Sequence, residues 1–220
     1  MQNLIKQEQF EIEVLDRFQS GRFLDNLIFT GGTMLRLCYG LNRFSVDLDF
    51  WIYKKIDTEK YFKQLREFLA KFYTIRDAEN KFYTMLFEIR SKDYPRTLMI
   101  EIRKRIEQVK TEFSIAYSQY SNTQVMVRTL SLQEMISSKI EAFLNRKEIR
   151  DVFDIEFLLK KGIELKVSKK ELEGLLDGIN SLSKKDYSVK LASILDSEQR
   201  KYYTKENFKI LLMEIKELLK

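Results

Sequence analysis

The chain has 220 residues, 44% hydrophobic and 13% aromatic, which is enough to build a core and excludes a largely disordered polymer. Lys and Arg outnumber Asp and Glu by 39 to 33, and the resulting charge of +6 is compatible with anionic partners such as nucleotides or RNA. Histidine is absent and Cys38 is the single cysteine, which removes Ser-His-Asp triads, Cys-His pairs, HExxH zinc sites and intrachain disulfides. Any catalysis therefore rests on carboxylates, Lys, Arg, hydroxyls or bound metal. Residues Met1 to Glu8 are polar and charged, without a signal-peptide core. No segment approaches the ~20 apolar residues of a membrane helix, so a soluble, cytoplasmic protein with no membrane contact is expected.

Seven glycines and one proline, Pro95, leave few helix breakers. Residues 5–19 are expected to form an opening helix, because Ile5, Phe10, Val14, Leu15 and Phe18 recur near helical spacing. Leu27-Ile28-Phe29 reads as a buried strand that turns at Thr30-Gly31-Gly32-Thr33 into a helix over 34–39. Residues 46–53 read as a second strand. Asp57 is a candidate N-cap for a helix with an apolar stripe of Tyr61, Phe62, Leu65, Phe68, Leu69 and Phe72. Three strand-like segments follow, over 81–90, 96–103 and 123–129, with Asp93-Tyr94-Pro95 as a turn between the first two. From Ser131 the pattern is helical almost to the end, with capping-box spacing at Ser131–Glu134 and Ser168–Glu171 and an amphipathic stretch over 207–219. The fold expected is α+β: a mixed sheet with flanking helices over 1–128, then a helical region over 129–220.

The stretch most informative about chemistry is Gly31-Gly32-Thr33, followed after thirteen residues by Asp47-Leu48-Asp49. Alternate residues of a strand share a face, so Asp47 and Asp49 point the same way, about 6–7 Å apart at their Cα atoms. Two carboxylates on one face are costly unless a positive charge lies between them, and a hard divalent cation such as Mg²⁺ (or Mn²⁺) supplies it. A glycine turn opening a helix offers bare N–H groups and room for a phosphate. Glu101, in the apolar run Leu98–Arg103, is the natural third acid for a metal site of Asp47, Asp49 and Glu101. Taken singly, each feature also has a structural reading: an exposed strand end, a tight turn, the wet face of a half-buried strand.

A second cluster follows in the helical region. Lys139 and Arg146 are seven residues apart on one helix face, and Ala142 lies between them. Arg150 and Asp154 have i,i+4 spacing, with Asp151 beside them. By itself this cluster reads as a solvated helix with ordinary ion pairs.

The combination of Gly31-Gly32-Thr33-Met34-Leu35-Arg36-Leu37 with Arg43-Phe44-Ser45-Val46-Asp47-Leu48-Asp49-Phe50 resembles the AbiEii/AbiGii toxin family of nucleotidyltransferases, within the DNA polymerase β-like superfamily. Glu101, Lys139-x-x-Ala142-x-x-x-Arg146 and Arg150-Asp151-x-x-Asp154 follow in the order of that family's later motifs, and the resemblance spans about residues 27 to 158. Thr33 stands where the family often has serine, with the hydroxyl retained.

The resemblance implies an Mg²⁺-dependent transferase that uses a nucleoside triphosphate and acts on an acceptor such as a tRNA end. It also implies a bacterial toxin with a cognate antitoxin. It assigns catalysis to Asp47, Asp49, Glu101, Lys139 and Asp154, and nucleotide or phosphate contacts to Gly31, Gly32, Thr33, Arg43, Ser45, Lys139, Arg146, Arg150 and Asp151. On this reading the helical region closes over the sheet, and Arg36, Arg43, Lys139 and Arg146 line a cleft with an acidic floor. The competing readings are a non-catalytic nucleotide- or RNA-binding protein of the same fold and a kinase-like phosphoryl transferase.

Overall fold

The computed structural model describes residues 2–104, 106 and 108–220. By internal contacts the chain divides into two units: residues 1–40 with 44–130, and residues 41–43 with 131–220.

The first unit is built on a seven-stranded mixed sheet. Its strands are β1 (Leu27–Thr30), β2 (Asp47–Ile52), β3 (Thr74–Asn80), β4 (Thr84–Arg90), β5 (Leu98–Arg103), β6 (Thr111–Tyr117) and β7 (Gln124–Leu130), in the spatial order β3-β4-β5-β2-β1-β7-β6. β1 pairs antiparallel with β2 and parallel with β7, while β2 pairs parallel with β5. Helices α1 (Gln2–Ser20), α2 (Gly31–Tyr39) and α3 (Thr58–Leu69) pack on one face of the sheet. That face carries Leu48, Phe50 and Ile52 of β2, Ile100 and Ile102 of β5, and Phe87 of β4, each at most 2% exposed. Phe18 of α1 stacks on Phe50 at 5.8 Å, Phe62 of α3 on Phe87 at 5.0 Å, and Tyr39 of α2 reaches the Ser114 and Thr129 hydroxyls. Asp57 caps α3 as expected, its carboxylate accepting from Lys60 N–H at 3.0 Å.

The second unit is helical: α4 (Leu132–Arg146), α5 (Ile149–Lys160), α6 (Lys169–Asn180), α7 (Ser197–Glu206) and α8 (Lys209–Leu218). Ser168 and Glu171 complete a reciprocal capping box, whereas at Ser131 only the forward half, the bond from Glu134 N–H, is present among the described residues. Glu156 of α5, fully buried, accepts from the Tyr203 hydroxyl at 3.0 Å, Lys160 at 2.7 Å and Leu211 N–H at 3.2 Å, and so joins α5, α7 and α8.

Candidate active site

β2 shows a strict alternation: Leu48, Phe50 and Ile52 are buried, while Asp47, Asp49 and Trp51 are half-buried on the opposite face. The parallel register of β5 sets Glu101 directly beside Asp49 and Met99 beside Asp47. Strand partners share a face, so Asp47, Asp49 and Glu101 lie together on the side of the sheet away from α1, α2 and α3. Neighbouring strands are about 4.8 Å apart, which makes Asp49 and Glu101 the closest pair by backbone. Glu101 leans toward Arg103, two residues along the same face, at 3.8 Å. No group of three or more acidic or Cys side chains stands at metal-holding spacing among the described residues. The donor set is nonetheless all carboxylate oxygen, the kind preferred by Mg²⁺ and Mn²⁺ over softer ions.

Several contacts fix these strands. The Thr33 hydroxyl, fully buried, donates to Asp47 C=O at 2.5 Å, and the Thr30 hydroxyl donates to Asp49 C=O at 3.3 Å. Both threonines flank the glycine turn, so the start of α2 is laced to the acid-bearing strand. Gly31 has φ +78° and begins α2, whose N-cap Thr30 makes no side-chain cap to the first amides. Gln7 of α1 donates to both Val46 C=O and Thr97 C=O at 3.2 Å, pinning the starts of β2 and β5 side by side.

Glu8, also on α1, pairs with Arg36 and accepts from the Ser118 hydroxyl at 2.6 Å. Arg36 lies 4.0 Å over the Phe44 ring as well. Its guanidinium thus meets Glu8 and the Phe44 ring. One turn on, Glu11 is fully buried, and neither carboxyl oxygen has a hydrogen-bond partner among the described residues. Burial, reinforced by the charges of Glu8 and Asp47 and only partly opposed by Arg36, holds its carboxyl well above the usual range.

Sequence reasoning missed Gln7, Glu8 and Glu11. The available signal was three polar residues at one-turn spacing on the face of α1 that also carries Phe10, Val14 and Phe18.

The later motif residues come together within the helical unit. Arg43 forms a two-pronged ion pair with Asp154, at 2.6 and 2.7 Å, with both side chains at most 3% exposed. Lys139 of α4 lies 2.7 Å from the same carboxylate and 3.5 Å from Asp151. Arg146 grips Asp151 through two bonds of 2.7 Å. Burial alone would raise the Asp154 pKa, but Arg43 and Lys139 outweigh it and hold the carboxyl below its ordinary value. Lys139, Arg43 and Arg146 thus each pair with a carboxylate of α5, and these pairs tie α4, α5 and the 41–43 segment together. Arg150 is exposed, and Asp154 takes Arg43 and Lys139 in place of the i,i+4 pairing suggested by spacing. Ser45 is half-buried just ahead of β2.

The chain matches no curated protein by sequence. Among solved structures, it is similar to JHP933 from Helicobacter pylori, with a TM-score of 0.57 and 23% identity, over 95% of this chain and 94% of that one. A candidate nucleotidyltransferase from H. pylori aligns with a TM-score of 0.58 and 23% identity, over 95% and 96% of the two chains. At that identity the likeness shows a shared fold. The model of the nucleotidyl transferase AbiEii toxin of type IV toxin–antitoxin systems matches residues 13–214, which contain the glycine turn, the three sheet acids and the ionic cluster of α4 and α5. By that span, the chain belongs to the AbiEii nucleotidyltransferase toxin family.

Proposed function

We propose that the protein transfers a nucleoside monophosphate from a nucleoside triphosphate to the hydroxyl at an RNA end, with tRNA as the leading acceptor class. The observation that carries this reading is the register of β2 and β5, which sets Asp49 beside Glu101 with Asp47 on the same face. These three carboxylates would hold the divalent cation. Bound there, Mg²⁺ or Mn²⁺ would neutralise phosphate charge and lower the pKa of an attacking hydroxyl. The amides of Gly31, Gly32 and Thr33 at the head of α2 would receive phosphate oxygens, aided by the helix dipole. The acceptor oxygen forms a bond to the α-phosphorus as the bond to pyrophosphate breaks, and the hydroxyl proton leaves to a carboxylate or to water. Lys139, Asp151 and Asp154 support this chemistry indirectly, by fixing α4 against α5. In the cell the activity would inhibit growth and be restrained by an antitoxin.

Incubation with α-labelled nucleotides, Mg²⁺ and total tRNA tests the reading. Label is expected in RNA with wild type and is expected to fall at least about a hundredfold in Asp47→Asn and Asp49→Asn. Equal labelling by Asp49→Asn would overturn the mechanism. Release of a nucleoside diphosphate instead of pyrophosphate would overturn the reaction type.

A further inference from the structure

The register extends across the acid-bearing face in straight rows. One row contains Glu101, Asp49, Thr30 and, by continuation of the β1–β7 pairing, the β7–β6 pair Leu130 and Thr111. The next row on the same face, about 7 Å along the strands, contains Arg103, Trp51, Ile28, Arg128 and Phe113. On the β1, β7 and β6 part of this face, Arg128 is the one charged side chain among the described residues. Its guanidinium lies 3.9 Å from the Tyr53 ring centroid and 4.4 Å from that of Phe113. Phe113 is 63% exposed and Tyr53 39%. Arg103 lies 6.0 Å from the Trp51 ring, and Lys54 and Lys55 are exposed directly after Tyr53.

Exposed rings this large are costly on a protein surface without a partner. Their spacing between cations matches what single-stranded nucleic acid requires: flat apolar faces for bases and fixed positive charge for phosphates. An arginine held against two rings keeps its guanidinium plane oriented, so it presents charge at little further ordering cost.

We infer that the surface formed by Trp51, Tyr53, Arg128 and Phe113 is a docking platform for the single-stranded segment of RNA next to the reacting end. The occupant follows from charge complementarity and from continuity with the acid row on the same face. The inference rests on the transferase reading for its acceptor, but its test uses binding alone.

The full-length protein is titrated into a fluorescently labelled single-stranded oligoribonucleotide without triphosphate, and anisotropy is followed. Phe113→Ala, Tyr53→Ala and Arg128→Ala are each expected to weaken binding roughly 5- to 100-fold. Arg128→Lys should recover only part of the loss, because it restores charge without the stacked plane. Phe82→Ala, at the more exposed β3–β4 turn, should bind as wild type does. Circular dichroism confirms that the surface variants remain folded.

Unchanged binding by the platform variants overturns the inference, as does failure of wild type to bind the oligomer. If these variants instead abolish self-association or capture of a protein partner while RNA binding persists, the face is a protein interface and the inference fails. Loss of binding in the platform variants without any transfer activity in wild type would uphold the platform and reject the transferase reading. Normal transfer with unchanged RNA affinity in the variants would do the reverse.

Discussion

Gly31 and Asp49 leave no room for one more carbon between them. A Cβ on Gly31 would lie 3.0 Å from both Cβ and Cγ of Asp49 and closer still to its Oδ2. The same glycine has φ +78°, a conformation that side-chain-bearing residues adopt at a cost. The turn and the acid are therefore fitted to each other: the absence of a side chain at one defines where the carboxylate of the other stands.

Gly31→Ala is accordingly expected to cost about 1–3 kcal/mol from backbone strain alone and to push the Asp49 carboxylate off its position. Transfer should fall much further than stability does. Urea midpoints measured beside labelling rates separate the two effects, and a variant that is destabilised yet fully active would contradict the fit.

Thr33 tests the lacing of α2 to β2. Thr33→Val removes the buried hydroxyl that donates to the Asp47 carbonyl and is expected to cost about 1–3 kcal/mol. Thr33→Ser keeps the hydroxyl and should retain activity, with a smaller stability loss from the missing methyl. Equal destabilisation by both would place the contribution in packing.

The ionic cluster predicts an acid-side stability profile. The Asp154 carboxyl is held below its ordinary value of 3.8, so an unfolded chain takes up the proton before the folded one does. Its contribution is fully present above about pH 4 and is lost as pH falls through the native value. The stability gap between wild type and Asp154→Asn should shrink over that window. At neutral pH Asp154→Ala, which removes the buried carboxylate shared by Arg43 and Lys139, should cost about 3–5 kcal/mol.

Glu11 predicts the opposite slope. Its folded carboxyl keeps its proton well above the ordinary 4.5, so the unfolded state gains as pH rises through that value, until the native group ionises. Glu11→Met removes the buried polar atoms and should raise the unfolding free energy more at pH 8 than at pH 4, by about 1–3 kcal/mol at pH 8. A smaller gain at pH 8 than at pH 4 would contradict this account.

Most of the sheet and nearly every helix were legible in the sequence because their patterns are local. β2 announces itself by alternation around Asp47 and Asp49, and α3 by its stripe and its Asp57 cap. β3 was not legible: Thr74–Asn80 is an edge strand with polar residues on both faces, so it lacks the period that marks a half-buried strand. β6 was missed for a related reason, since Phe113, Ile115 and Tyr117 alternate correctly but present their apolar face to solvent. The sheet acids were readable from spacing, whereas the adjacency of Asp49 and Glu101 required a register that no sequence period specifies. The charged cluster shows the limit most plainly. Spacing identified Lys139, Arg146, Asp151 and Asp154, but the partner that decides their role, Arg43, comes from more than ninety residues earlier.

Arg43 also decides how the chain can be divided. It belongs by contacts to the helical unit, yet in sequence it stands between α2 and β2. A fragment beginning at Ser131 would carry Asp154 into its interior without the guanidinium that matches it, and would also lack the short bridge between Arg43 and Leu195. The helical half is thus not a cassette that recombination can move by a single cut. Any exchange between relatives that keeps its interior charges matched must bring along the 41–43 segment ahead of β2.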